Sequence, residues 1–184
     1  MANDNILKKV GFASFIMMAS IFASRMIGVF REMTIAGIGG IKTSVDAYQI
    51  AFIIPEILNH VVASGFLSIT FIPIFAHYLS SDRENEGYKV FSIIMNGFGL
   101  LLLCFIITTL IWTPAFVQLF VPGIQDPDTF ALAVKMTRII IPAQFFFFTG
   151  GLLMAIQFAN EKFLIPAMAP LIYNLGIILG GLIL

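Results

Sequence analysis

From Val90 to Thr113 the sequence runs without a single charged residue, and that run constrains the fold more than any other feature. About 20 consecutive apolar residues carry an α-helix across the hydrocarbon core of a bilayer. There, each backbone N–H and C=O must find its partner within the segment itself. Ile139–Asn160 and Phe163–Leu184 are likewise uncharged and long enough. Two earlier segments are apolar but interrupted: Val10–Phe30 carries Arg25, and Ala47–Ser80 carries Pro55, Glu56, His60, Gly65 and Pro73. Five spans are expected, at about residues 10–30, 47–80, 90–113, 139–160 and 163–184. They make the chain an all-α, polytopic transmembrane helical bundle, with residues 1–184 forming a single transmembrane domain.

Composition removes the soluble alternatives. The chain is 59% hydrophobic and 11% charged, against roughly 45–50% and about 25% in a soluble domain. Twenty Phe and nine Met leave no polar shell, and a formal net charge of zero gives no footing for a nucleic-acid partner. The lone Cys104 sits in an apolar run, which excludes a disulfide framework and a thiolate metal site and suggests a small buried hydrophobe. His60 and His77 stand too far apart to suggest a metal centre. With no nucleophile–base constellation and no glycine-rich phosphate loop, neither a cofactor nor an enzyme is indicated.

Lys8 and Lys9 before Gly11–Ser24 mimic a secretory signal, but Arg25 and four further apolar segments follow, so a retained first helix with a cytoplasmic amino terminus is expected. The links read as a partly unwound turn at Arg31–Val45 containing Gly37, Gly39 and Gly40, a water-exposed loop at Ser81–Tyr88, a basic-free loop at Thr113–Thr129 and a tight turn at Ala159–Lys162. On this topology Lys8, Lys9, Arg83, Lys89 and Lys162 are cytoplasmic, against Lys42, Lys135 and Arg138 outside. That bias holds if Arg25 and Arg31 lie in the membrane and vanishes if they do not. The last apolar run reaches Leu184 without a polar cap, the pattern of a fragment or truncated product.

Ionisable residues at membrane depth are costly and therefore informative. On a helix Arg25 and Glu32 share a face, while Arg31 lies about 120° away, with Gly28 between the arginines allowing close packing or a local break. Two readings stand open. The arginines snorkel to the interface with Glu32 partnering Arg31, or they form the cationic wall of a polar cavity suited to phosphate oxygens. A second polar set, Asp46, Gln49, Glu56, His60 and Ser64 with Asn59 at its edge, falls on one arc of the next helix, with Glu56 and His60 placed to pair. Such a stripe faces water or the bundle interior, or it forms an interhelical hydrogen-bond seam with no transport role. Pro55, Gly65 and Pro73 mark kinks in that segment. Phe145–Phe148 suggests lipid-facing packing, with Gly150 and Gly151 allowing close contact, and Asn174 suggests a bond to a neighbouring helix.

The stretch from Ser24 to Pro73 resembles the amino-terminal signature of the MurJ/MviN lipid II flippase family, within the multidrug/oligosaccharidyl-lipid/polysaccharide exporter superfamily. The matching residues are Ser24, Arg25, Gly28, Arg31, Glu32, Asp46-Ala47-Tyr48, Ala51-Phe52, Pro55, Ala63, Gly65, Ser68, Phe71 and Pro73, with later echoes at Pro122-Gly123 and Pro166–Pro170 through Asn174. The resemblance implies about five helices of the first lobe of a two-lobed fold in the bacterial cytoplasmic (inner) membrane. It implies a role in peptidoglycan biosynthesis and cell shape, moving a lipid-linked diphosphate-sugar precursor outward by alternating access. The implied partners are that substrate, membrane lipids and the remaining helices or second lobe. Arg25, Arg31, Glu32, Asp46, Glu56, Asn59 and His60 become cavity or substrate-binding residues, and Gly28, Pro55 and Gly65 hinges.

Two positions depart from the family pattern. Asn59-His60 replaces a basic pair, and Ser64 replaces an acid. Losing two fixed positive charges weakens attraction for a diphosphate, unless another cationic helix compensates. Export of another lipid-linked polysaccharide or of a drug, and a non-transport structural role, therefore remain alternatives.

Overall fold

The computed structural model describes residues 2–39, 43–60 and 69–183. Among these residues all regular structure is helical, as the apolar runs require: α1 (Ala2–Gly39), α2 (Thr43–Asn59), α3 (Ile72–Ser80), α4 (Glu84–Ile111), α5 (Thr113–Phe120), α6 (Pro127–Ile140), α7 (Ala143–Ala159) and α8 (Leu164–Ile183). Three helices are long and apolar enough to cross a membrane, with spans at Ser14–Gly37, Glu84–Ile111 and Leu164–Leu182, and the bent pair α6–α7 can supply a fourth. The chain is a multi-pass helical membrane protein. It divides into two compact units, residues 1–40 with 161–184 and residues 41–160.

The first unit pairs α1 with α8. α1 continues through Gly37 to Gly39, so the turn expected across Arg31–Val45 does not unwind before residue 40, and residues 40–42 of it lie outside the described residues. No proline interrupts the stretch, and glycine in a helix costs only about 1 kcal/mol relative to alanine, too little to break a helix held by its neighbours. The contacts between α1 and α8 follow one order: the Ser20 hydroxyl donates to the Ala167 carbonyl, and Ser24 further along α1 bonds Asn174 further along α8. The two helices therefore run in the same direction.

The second unit encloses the apolar core, built on Ile54 of α2, Phe71 and Phe75, Leu102 and Ile106 of α4, Val117 of α5, Val134 of α6, and Phe148 and Leu152 of α7. Pro73 stands in the first turn of α3, directly after a π-helical turn at residues 69–71. The α3–α4 hairpin turns at Asp82 in a left-handed conformation (φ 56°) and closes tightly at Gly87, whose Cα faces Phe75 and Tyr78. α6 begins on an Asp126 cap with Pro127 in its first turn and presents Thr129, Ala133, Val134 and Thr137 inward. It meets α7 at a 42° bend, where Pro142 cannot donate to the preceding turn.

Two expectations are corrected here. Cys104 is exposed rather than buried, because lipid-facing positions are as apolar as core positions and hydrophobicity cannot tell them apart. The Phe145–Phe148 run is not uniformly lipid-facing: Phe146 is 75% exposed but Phe148 only 3%. Helical periodicity turns successive residues about 100° apart, so four adjacent phenylalanines cannot share an environment. Phe145 and Phe148 instead pack on Gly99 of α4 at ordinary van der Waals separation, 3.7 and 3.8 Å from where its Cβ would stand, while a Cβ on Gly150 would meet nothing within 4 Å.

Candidate functional site

The polar residues of the first unit are organised by one arginine. Arg31 is half-buried, with its side chain 27% exposed, and its guanidinium is held on two sides. Nε and Nη2 both donate to Glu32 Oε1, at 3.2 and 2.6 Å. Nη1 donates to Asn174 Oδ1 at 3.3 Å, across from α1 to α8. Asn174, 7% exposed, in turn donates through Nδ2 to the carbonyl and hydroxyl oxygens of Ser24, at 3.2 and 3.1 Å. The partnership of Arg31 with Glu32 and the interhelical bonding of Asn174, both suggested by the sequence, are present.

Arg25 lies on the same helix, exposed, and among the described residues it makes no ion pair or hydrogen bond. The two arginines are thus not equivalent. Glu32 compensates the charge of Arg31, while the charge of Arg25 has no compensating carboxylate among the described residues. Gly28 neither breaks α1 nor sits in a close contact, since a Cβ there meets nothing within 4 Å. The packing or local break suggested for it is absent.

The stripe on α2 belongs to the second unit. Ala47, Ala51, Ile54 and Pro55 are buried, whereas Asp46, Gln49, Glu56, Asn59 and His60 are exposed. The polar arc therefore lies opposite the face that joins the unit's core, as the 100° step requires, and it does not face that unit's interior. α2 runs through Pro55 to Asn59, while Gly65 and Ser64 lie outside the described residues.

Sequence reasoning missed a second arginine contact. Arg138 Nε donates at 3.2 Å to the hydroxyl of buried Thr113, which donates to the Thr109 carbonyl at 2.7 Å, tying α6 to the α4–α5 junction. The available signal was Arg138 itself, a basic residue in the last turn of α6. Asp126 accepts from the Thr129 hydroxyl and backbone N–H, and these hydrogen bonds hold its carboxyl below the usual range. Beside it, Gln118, Pro122, Gln125, Pro127 and Phe130 help line a shallow cavity of about 260 Å³. Among the described residues no group of three or more His, Cys, Asp or Glu side chains is placed to hold a metal ion.

A model of the family described as lipid II flippase MurJ matches residues 35–184. The chain belongs to the lipid II flippase MurJ family. Similar relatives include the lipid II flippase MurJ of Thermosipho africanus, 31% identical over 169 residues covering 92% of this chain. The probable lipid II flippases MurJ of Aquifex aeolicus and of Buchnera aphidicola from Baizongia pistaciae are also 31% identical, over 94% and 95% of it. In each case the match covers 34% of the relative, so the chain spans about a third of their length. The family match begins after the arginine block, while the Thermosipho and Aquifex alignments leave only 8% and 6% of this chain uncovered.

Proposed function

We propose that these residues form five crossings of the first lobe of a flippase that carries a lipid-linked diphosphate-sugar precursor, resembling lipid II, across the bacterial cytoplasmic membrane by alternating access. The activity moves a substrate and makes or breaks no covalent bond. The observation that carries the reading is a membrane-crossing helix bearing one uncompensated arginine, Arg25, and one arginine held in a fixed geometry, Arg31. Three of the five Arg31 N–H donors are engaged, and one remains on each Nη nitrogen. These free donors are available to phosphate oxygens. The exposed Asp46, Glu56, Asn59 and His60 give α2 a polar face suited to water or a polar head group.

The shared direction of α1 and α8 supports five crossings. Two spanning helices with the same direction require an odd number of crossings between them. With α4 and the bent α6–α7 pair taken as two crossings, the five-span reading needs one more between α1 and α4. With the amino terminus cytoplasmic, the basic-free turn between α5 and α6 is then outside, in keeping with the positive-inside rule.

Replacing Arg25 or Arg31 by Ala in the protein expressed in its host tests the reading. A charge-assisted hydrogen bond contributes about 1.5–3 kcal/mol, so each variant is expected to slow the appearance of precursor in the outer leaflet by roughly 10–100-fold. Unchanged flipping at normal protein level refutes the cavity role of the arginines. A second reading, export of a different lipid-linked saccharide or a drug, is favoured by exposed Asn59 and His60, where the family carries a basic pair. Failure to rescue cells depleted of their lipid II flippase, at good expression, selects it.

A further inference from the structure

We infer that Asn174 of α8 is the positioning residue for Arg31, fixing the guanidinium from a second helix for presentation of its free donors to an oxyanion. The inference rests on the functional reading above for the identity of that anion, a lipid-linked diphosphate, but the geometry stands apart from it. Asn174 is buried, and both ends of its amide are used: Oδ1 accepts from Arg31 and Nδ2 donates to two oxygens of Ser24. The amide has only one workable orientation. Turned over, it would set an NH2 against the guanidinium donors and a carbonyl against the Ser24 carbonyl, two like-with-like contacts in a buried place.

Ser24 therefore fixes Asn174, and Asn174 fixes Nη1 of Arg31 from α8 while Glu32 fixes Nε and Nη2 from α1. Glu32 alone leaves the guanidinium anchored along one edge, on an acid whose side chain is itself 59% exposed. The bond from the opposite helix supplies the second anchor. It also ties the orientation of Arg31 to the spacing of α1 and α8, so a change in that spacing alters how the arginine is presented.

The test is the rate at which phenylglyoxal, an arginine-selective reagent, modifies Arg31 in the full chain in lipid nanodiscs. Arg25 on the same helix is the internal reference, and both sites are read by mass spectrometry. Loss of one hydrogen bond to the guanidinium in Asn174→Leu is expected to raise the Arg31 rate about three- to tenfold, with Arg25 unchanged. Asn174→Asp loses the donation to Ser24 but offers Arg31 a charged acceptor in place of the amide oxygen, so its Arg31 rate is expected at or below that of the parent. It also remains informative if the Leu variant fails to fold. A structural role for Asn174 in joining the helices predicts instead that the Asp variant behaves like the Leu variant. That result, an unchanged Arg31 rate in Asn174→Leu, or a rise at Arg25 and Arg31 alike, overturns the inference. Adding a short-chain polyprenyl diphosphate separates the two claims. Failure to protect Arg31 in the parent chain counts against the diphosphate reading, while the rates without ligand decide the role of Asn174.

Discussion

The α3–α4 hairpin offers a quantitative test through a pair of glycines on one helix. A Cβ on Gly87 would stand 3.2 Å from Tyr78 Cβ and 3.3 Å from Phe75 Cε2, whereas on Gly97 it would meet nothing within 4 Å. Both lie within α4, so replacement by alanine brings each the same gain in helix propensity, about 1 kcal/mol. Gly97→Ala keeps that gain. Gly87→Ala must offset it against contacts tighter than ordinary van der Waals separation. The Phe75 ring is fully buried and cannot swing away, and a Cβ moves only with its backbone, so α3 itself must shift. Overpacking of this kind costs roughly 1–3 kcal/mol, which leaves Gly87→Ala between neutral and about 2 kcal/mol less stable. The measurement is the apparent melting temperature of the two variants in the same detergent, followed by far-ultraviolet circular dichroism. Gly97→Ala is expected to melt at or above the parent, and Gly87→Ala below Gly97→Ala. If Gly87→Ala proves at least as stable as Gly97→Ala, the close packing of α3 on α4 is refuted.

Two further outcomes follow from the turns. The Asp126 carboxyl is depressed by its hydrogen bonds to Thr129, so it stabilises the start of α6 above the unfolded Asp value of about 3.9 and loses that contribution as pH falls through its lower folded value. Asp126→Ala should therefore lower the melting temperature at neutral pH and narrow its difference from the parent in strong acid, and a difference independent of pH would refute the cap. For the topology, cysteines introduced at Asn5, Ser81, Gly123 and Glu161 of a Cys104→Ala background should label with a membrane-impermeant maleimide in two groups. Five crossings place Asn5, Ser81 and Glu161 on one side and Gly123 on the other, whereas a chain that does not cross within residues 43–80 groups Asn5 with Gly123.

What the sequence made legible depended on whether one environment or two could explain a residue. α4 and α8 were readable because an uncharged run of that length has one outcome in a bilayer. Asn174 was readable as an interhelical partner because lipid offers an amide nothing to bond. Cys104 and the phenylalanine run were not, since lipid and core reward the same side chains. α6 was hidden for the opposite reason. Lys135 and Arg138 stand among its apolar residues and deflect a search for clean spans, although Asp126-Pro127 with Thr129 three residues after the aspartate is a readable helix start. Of the candidate site, the residue types were legible and the partnerships only partly so, because contacts between residues 24 and 174 depend on how α1 meets α8.

Those partnerships change what the arginine block means. Two arginines six residues apart suggest a doubled positive charge, but Glu32 compensates one of them at 2.6 Å. Under the proposed function, an arriving diphosphate would meet a net charge nearer one than two on the block Arg25–Glu32. On that proposal Arg25 would supply long-range attraction, since no carboxylate among the described residues offsets it, and Arg31 direction, since it is already oriented by groups on two helices. The division has a thermodynamic advantage. An unpaired arginine pays the entropy of ordering its side chain when it binds, whereas one already held by Glu32 and Asn174 has paid much of it during folding, the usual benefit of preorganisation. Arg25→Lys, which keeps the charge, should accordingly be tolerated better than Arg31→Lys, which loses the planar fork that Glu32 and Asn174 hold.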